Sequence, residues 1–438
     1  MKNIKKVLFL LPVLLLSSCN FKYTYVIEGM KNPGGGAQEE EDDGVEDAGT
    51  YDIKVWVDDK IVDLTRTQIQ SFVAESGGKY TINARIEPQS EGTAASSMLQ
   101  DVQSGADIFV FAQDQLSRLK VAGAVSKITG NHASFINKNN SADSVKAASL
   151  GSNIYAFPIT SDNGYFLYYD KRVIPDADAS DMSKILADCK SANKKLNFEA
   201  RSNGFYSASY FLASENGKDV SPLCHSVWDL DEETGKFTKY DDTFSGDNGL
   251  IAAKGLKELD STSFVATNSL ASKLGDTAGA VVSGIWEYDV AVSRLKDNLG
   301  CAELPSFTVD GKSYHLGSFD GYKLMGVKPQ RDAKKASVCR KLARYLTGES
   351  CQTQRFKEVS WGPTNTKSSQ REEIANHPGL AALNAQHKYA TQQGQCPGAW
   401  FVALATTAKS IKNNSTDDQI RAVLNNYKNG LPELLDED

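Results

Sequence analysis

The chain has 438 residues, a net charge of −7, and a hydrophobic share of 40% beside a charged share of 24%. This composition is typical of a globular protein, and the length predicts two or three domains. No basic stripe is present, which argues against nucleic acid as a partner.

The N-terminus carries the pattern of an export signal. Lys2, Lys5 and Lys6 precede an apolar run at 7–16, which ends in Ser17-Ser18-Cys19. The run is shorter than the roughly 20 apolar residues of a membrane span, so it predicts a secretory signal. Small residues before a cysteine are typical of a bacterial lipoprotein signal at 1–19, with Cys19 lipidated. An ordinary signal peptide with an accidental cysteine is the alternative.

Residues 20–50 predict a disordered tether, because they combine Asn32-Pro33-Gly34-Gly35-Gly36 with seven acids between 38 and 47. Beyond the tether, an even number of cysteines permits disulfides in an exported chain, although free buried thiols are equally open. The absence of a C-x-x-C pair argues against a zinc knuckle or a redox pair. The cysteines are Cys189, Cys224, Cys301, Cys339, Cys351 and Cys396.

Ordered elements begin near residue 51. Alternating β-branched residues predict a strand at 53–57, followed by a helix that starts near Asp63 and ends at Gly77-Gly78. A second strand is predicted at 80–86, a helix at 96–102, and a nearly all-apolar strand at 106–111. Strands that alternate with helices and lack a polar face favour a parallel sheet in an α/β fold.

The same alternation continues downstream. Strands are predicted at 154–158 and 165–169, and an aromatic helix is predicted at 205–214. A small-residue strand at 278–283 leads into Gly284-Ile285-Trp286. Amphipathic helices are predicted at 333–346 and 417–429, and no internal repeat is found.

Several segments in this order resemble those of a known family. They are Gly105-Ala106-Asp107-Ile108-Phe109-Val110-Phe111-Ala112-Gln113-Asp114, Tyr155-Ala156-Phe157-Pro158-Ile159, the strand that ends at Trp286, and Trp361-Gly362-Pro363-Thr364-Asn365. Over 53–430 the chain resembles the extracellular solute-binding proteins of bacterial ABC sugar importers, in the maltose/maltodextrin-binding branch. The order of these segments along the chain supports the resemblance more than any one segment does.

The resemblance implies an α/β fold with two discontinuous lobes joined by a hinge. One lobe would comprise 51–158 and 319–375, and the other 163–313 and 378–430. The implied function is that of a lipid-anchored, monomeric binding protein without catalysis, cofactor or metal. It would capture an oligosaccharide, by expectation maltose or maltodextrin, and deliver it to an ABC permease. The expected location is the extracellular face of the bacterial membrane or the periplasm.

Sugar-binding sites combine polar groups for hydroxyls with aromatic rings for the C–H faces. The resemblance implies a ligand site formed by Asp59, Lys60, Phe111, Asp114, Asp162, Tyr206, Trp286 and Trp400. Phe111 stands where the family has Trp, and Gln115 stands where it has Arg. These departures leave the exact sugar open.

Each assignment has a structural alternative. Phe111 could end a buried strand, Asp114 could cap the next helix, and Asp59 with Lys60 could be plain loop charges. Trp286 and Trp400 lie near turns, which favours exposure of their side chains.

Two other functions remain open at the level of sequence. A surface-anchored glycoside hydrolase would need two carboxylates about 5–9.5 Å apart, and a ligand-sensing ectodomain feeding a sensor kinase would have the same sequence features as a transport protein. No G-x-S-x-G, H-E-x-x-H or P-loop pattern occurs, and the five histidines show no metal-ligand spacing.

Overall fold

The computed structural model describes residues 45–231, 234–259 and 269–436. The strands are β1 Gly49–Val57, β2 Tyr80–Pro88, β3 Ile108–Ala112, β4 Ser149–Leu150, β5 Asn153–Ile154, β6 Ala156–Thr160, β7 Phe166–Asp170, β8 Lys195–Asn197, β9 Ser214–Glu215, β10 Ser226–Leu230, β11 Phe237–Asp242, β12 Ala278–Ser283, β13 Leu299–Ala302, β14 Ser306–Val309, β15 Lys312–His315, β16 Ser318–Asp320, β17 Lys323–Val327 and β18 Ala390–Gln392. The helices are α1 Val62–Glu75, α2 Glu91–Gln100, α3 Leu116–Val121, α4 Gly130–Asn139, α5 Ala142–Ala147, α6 Met182–Ser191, α7 Gly204–Phe211, α8 Asp247–Leu256, α9 Tyr288–Leu295, α10 Ala333–Leu346, α11 Glu349–Val359, α12 Thr366–Ser369, α13 Glu372–Ala375, α14 Pro378–His387, α15 Gly398–Ser410 and α16 Asp417–Gly430.

Two main sheets organise these elements into two lobes. The first has the strand order β2-β1-β3-β17-β6, and the second has the order β13-β7-β12-β8. Each sheet has its own cluster of buried apolar side chains, so each lobe has a separate hydrophobic core. The α/β fold class is therefore confirmed.

The chain crosses between the lobes instead of completing one before the other. It leaves the first sheet after β6, enters the second at β7, and returns to the first at β17. Because β17 arrives from the second lobe, it runs antiparallel to both β3 and β6. The expectation of a purely parallel sheet was wrong for this reason, since only the β1–β2 and β1–β3 pairs in this sheet are parallel.

One small-residue strand and one amphipathic helix were predicted most accurately. The strand at 278–283 and the helix at 333–346 match β12 and α10 at both ends. The predicted helix at 96–102 begins earlier, because Ser90 caps α2 by accepting the Gly92 N–H. Among the described residues, no helix has the length and apolar character of a membrane span.

The chain is already fixed to the first lobe before residue 50. Asp47 is fully buried, and its carboxylate accepts hydrogen bonds from Lys341 (2.8 Å), Ser337 (2.9 Å) and Tyr80 (3.0 Å) and pairs with Lys79 at 2.8 Å. The predicted tether at 20–50 was therefore too long, because a buried carboxylate with these partners holds the chain in place. The signal at 1–19 and lipidated Cys19 lie outside the described residues.

Asp47→Asn should lower the free energy of unfolding by about 2–3 kcal/mol at pH 7, because a hydrogen bond to a charged group contributes about 1.5–3 kcal/mol. Burial alone would raise the pKa of Asp47, but the bonds from Lys341, Lys79, Ser337 and Tyr80 lower it well below 3.8. The stabilisation is complete above that ordinary pKa and is lost as pH falls toward the depressed value.

Urea unfolding at pH 7 and pH 3 measures this difference. The gap between wild type and Asp47→Asn should narrow at pH 3. Asp52→Asn, an exposed carboxylate on β1, is the matched control. Equal unfolding free energies for wild type and Asp47→Asn at pH 7 would contradict the prediction.

All six cysteines after Cys19 are free thiols in the structure. Burial raises the pKa of Cys339 to about 12 and that of Cys189 to about 11. Thiols held in this protonated state are poor nucleophiles. The thiols therefore act as packing side chains. The sequence left disulfides and free thiols open, and the structure has free thiols.

Candidate functional site

The carboxyl ends of two neighbouring strands create one side of the space between the lobes. β1 and β3 are parallel, with Val55 opposite Ile108, so their carboxyl ends meet at the same sheet edge. β1 leads into a 3-10 turn at Asp59–Ile61, and β3 leads into another at Gln113–Gln115. Ligands of open α/β sheets bind outside this edge. We refer to the space between it and the second lobe as the interlobe cleft.

Lys60 connects the two lobes at the cleft. The Asp58 carboxylate accepts the Lys60 backbone N–H at 3.0 Å, which holds the turn. The Lys60 Nζ donates to the Trp286 carbonyl at 3.0 Å. Asp59 is exposed beside it. Two predicted site residues, Lys60 and Trp286, are thus brought together although they are 226 positions apart.

Trp286 follows β12 in a short 3-10 turn and is half-buried. Its indole lies back over Gly284, where a Cβ would come within 2.1–2.5 Å of three ring carbons. The Tyr168 hydroxyl donates to the Gly284 carbonyl at 2.8 Å, which fixes this backbone. A side chain at position 284 would displace the ring. The glycine and the tyrosine therefore hold a partly exposed indole at the mouth of the cleft.

Asp114 lies in the turn after β3. One carboxylate oxygen accepts from Gln115 Nε2 at 2.7 Å, and the other is buried without a hydrogen-bond partner. Burial raises the pKa of Asp114 above its ordinary value. Buried polar atoms are almost always paired, so this oxygen is an acceptor available to a ligand hydroxyl.

Amide side chains line the seam between the turn after β3 and the segment before α15. Gln113 donates to the Gln393 carbonyl, and Gln395 donates back to the Gln113 carbonyl at 2.8 Å. The Ser117 hydroxyl donates to Gln395 at 2.7 Å, and Asn163 donates to the Gln393 side chain at 2.9 Å. These bonds tie the crossing after β6 to both lobes.

Lys323, at the start of β17, is the centre of a buried charged cluster. Its Nζ lies 3.5 Å from Glu91, 3.7 Å from Asp162 and 3.8 Å above the Trp361 ring. Asp162 is fully buried and also accepts the Gly362 N–H at 2.7 Å. These partners occupy the carboxylate, so the structure assigns Asp162 to the hinge. The prediction of ligand contact for Asp162 is corrected accordingly.

Three predicted aromatic contacts lie in the hydrophobic cores. Phe111 is 0% exposed in the first lobe, and Tyr206 and Trp400 are 5% and 3% exposed in the second. The Trp400 Nε1 donates to the Tyr427 hydroxyl at 2.7 Å, and its ring packs on Phe244. Stacking needs an uncovered ring face, which none of the three offers here. We therefore correct their assignment from ligand contact to core packing.

Sequence reasoning missed five polar residues of this region: Glu91, Gln113, Lys323, Gln393 and Gln395. The sequence did contain a feature that could have indicated Lys323 and the glutamines Gln393 and Gln395. Lys323 opens an otherwise apolar strand, and the segment at 392–395 contains three glutamines within four residues. The contact between Gln113 and Gln393 could not be predicted from the sequence, because the two residues are 280 positions apart.

Within residues 45–231, 234–259 and 269–436, no group of three or more His, Cys, Asp or Glu side chains is arranged to hold a metal ion. The arrangement has two α/β lobes, three crossings of the chain between them, and polar and aromatic groups from both lobes at the interlobe cleft. It defines a two-lobed binding protein of the periplasmic type.

Comparisons with known proteins agree with this class. The model for the family of bacterial extracellular solute-binding proteins matches residues 67–382, and the chain belongs to this family. The predicted family is thereby confirmed. A search of curated proteins gave no match.

Solved structures also have this fold. One described only as "with acarbose" is 25% identical, with a TM-score of 0.73 over 88% of this chain and 100% of that one. Maltodextrin-binding protein MalE1 from L. casei BL23 is 17% identical, with a TM-score of 0.71 over 89% and 100%. A cyclo/maltodextrin-binding protein complexed with maltotetraose is 19% identical, with a TM-score of 0.64 over 88% and 97%. The two-lobed fold is confirmed.

Proposed function

We propose that this protein binds an oligosaccharide, with maltodextrin as the favoured class, in the interlobe cleft. The observation that carries the proposal is the half-buried Trp286, whose backbone carbonyl accepts a hydrogen bond from Lys60 of the other lobe. An aromatic face suits the C–H face of a sugar ring, and an ammonium donor suits its hydroxyls. Two structural neighbours, a maltodextrin-binding protein and a cyclo/maltodextrin-binding protein complexed with maltotetraose, support the same ligand class.

The described geometry supports binding by closure of the two lobes. A ligand that touches Asp59 and Asp114 on the first lobe and Trp286 on the second reaches all of them only when the cleft is shut. Ser360 on the first lobe donates to Asp289 on the second at 3.1 Å, so direct protein contacts also favour the shut form. Micromolar affinity corresponds to about 8 kcal/mol, which three or four charge-assisted hydrogen bonds of about 1.5–3 kcal/mol each reach together with aromatic stacking.

The finer parts of the proposal concern location and partner. We infer that Cys19 carries the lipid anchor and that the closed, loaded form docks on an ABC permease. The protein itself carries out no chemistry on the sugar. The extracellular nature of the family agrees with such a location.

Calorimetric titration of the full-length protein in detergent tests the ligand class. The panel contains maltose, maltotriose and longer maltodextrins beside xylo-, manno- and fructo-oligosaccharides. We expect saturable binding to the α-glucans with dissociation constants near the micromolar range. Binding to another oligosaccharide of the panel would change the proposed ligand class. Absence of binding heat with every oligosaccharide of the panel would overturn the sugar proposal. Cleavage of maltodextrins during the titration would favour a hydrolase instead.

A further inference from the structure

A second large cavity lies at the hinge and shares no lining residue with the interlobe cleft as described above. Its volume is about 450 Å³, within the range of small-molecule sites. All three chain segments around the hinge contribute to it, through Ser161, Phe319 and Pro363. None of these residues has a part in the proposed sugar site.

The cavity is lined by both lobes. Asp143 on α5 and Tyr322 beside β17 come from the first lobe. Leu380, Asn384 and His387 come from α14, which packs on the second sheet. A molecule bound here would contact both lobes at once, so its affinity would depend on the angle between them.

The wall of the cavity contains several hydrogen-bonding groups. Ser318 is fully buried, and its hydroxyl oxygen has no hydrogen bond. The Ser318 oxygen itself is closed off from the cavity space, so it supports the polar character of the wall but not a contact with a ligand. The Asp143 carboxylate and the Asn384 amide are exposed and line the same cavity. These two side chains are the lining groups that offer hydrogen bonds to a polar molecule.

The chemistry of the lining narrows the class of that molecule. Asp320 pairs with His387 at 3.0 Å, and beside it lie the carboxylate of Asp143 and the amide of Asn384. Carboxylates, amides and serine hydroxyls together exchange hydrogen bonds with hydroxyl groups. The apolar side chains of Phe319, Leu380 and Leu383 offer surface to C–H groups. This combination suits a small, neutral, hydroxyl-rich molecule.

We propose that the hinge cavity is an effector site for a small polyhydroxylated molecule of monosaccharide to disaccharide size, which binds together with the cleft ligand and changes its affinity. Linkage requires the coupling to be reciprocal, so each ligand shifts the affinity of the other by the same factor. An occupant that fits the cavity at only one lobe angle selects that angle.

Ligand-observed NMR with myo-inositol and the full-length protein in detergent tests binding at the cavity. Saturable binding should be lost in Asn384→Trp, which fills the mouth of the cavity from the exposed face of α14. It should persist in Ala381→Trp, an exposed position on the same helix outside the lining, and in Trp286→Ala in the cleft. Absence of binding to wild type, or binding that survives Asn384→Trp but not Trp286→Ala, would overturn the proposal.

Coupling is measured by titrating maltotriose with and without saturating myo-inositol. We expect the maltotriose affinity to change about fivefold or more, and Asn384→Trp should abolish the change. An unchanged affinity in wild type would overturn the effector role. This inference does not depend on the sugar proposed for the cleft. If maltotriose failed to bind at all, the NMR result would still decide the cavity.

Discussion

Replacing Trp286 with alanine should weaken maltodextrin binding about 30-fold while the folded state keeps most of its stability. Central aromatic residues of binding sites contribute about 2 kcal/mol or more, and each 1.4 kcal/mol corresponds to a tenfold change in affinity. The indole is half-buried and lies at the end of β12 outside the fully buried core. Its loss therefore removes contact with the ligand more than packing of the second lobe.

Calorimetric titration of wild type and Trp286→Ala with maltotriose measures the effect, and thermal unfolding measures the stability of both. Val292→Ala, an exposed apolar side chain on the helix after Trp286, is the matched control. It should leave affinity unchanged. An affinity of Trp286→Ala within twofold of wild type would remove Trp286 from the site, and with it the observation on which the proposed function rests.

The contrast between Trp286 and Trp400 explains what sequence could and could not predict. Both follow turns, and both were expected to expose their rings. Trp286 does so, because its turn ends a strand at the cleft. Trp400 lies inside α15 at a position that faces Phe244 and Tyr427. Position relative to a turn is a local property, whereas these partners come from the turn before α8 and from α16.

The fold was more predictable than the site for a related reason. Patterns within 5 to 15 residues identified two elements at both ends: the run of small residues in β12 and the amphipathic periodicity of α10. Phe111 could equally have ended a buried strand or faced a ligand, since one side chain carries no periodicity. The antiparallel return of β17, and with it the charged cluster around Lys323, depends on the order in which the chain visits the lobes. The sequence pattern alone contained no trace of that order.

Lys323→Met should lower the free energy of unfolding by about 3–5 kcal/mol, the usual cost of removing one partner from a buried ion pair. The substitution keeps an unbranched side chain of similar length and removes the ammonium group. Lys323 is 1% exposed, and Asp162, 3.7 Å away, is 0% exposed. Without Lys323 the Asp162 carboxylate stays buried and loses its ion-pair partner. Urea unfolding followed by circular dichroism at pH 7 measures the loss.

The dependence of this loss on pH has a definite sign. Burial alone would raise the pKa of Glu91, but the charge and hydrogen bond of Lys323, a backbone hydrogen bond and the charge of Lys60 together more than offset it, so the pKa lies below its ordinary value of 4.5. The stabilisation from this pair is complete above that ordinary pKa and is lost as pH falls through the depressed one. The gap between wild type and Lys323→Met should therefore narrow between pH 5 and pH 3. A gap that widened over this interval would contradict the assignment.

Asp162→Asn combined with Lys323→Met separates the charge pair from packing. If the cost of Lys323→Met comes from the unpaired carboxylate, neutralising that carboxylate should recover about 1–3 kcal/mol, and the two losses will not add. Additive losses would mean that the Lys323 side chain acts through its contact with the Trp361 ring instead. Asp162 also holds the Gly362 N–H, so the charge pair fixes two of the segments that meet at the hinge.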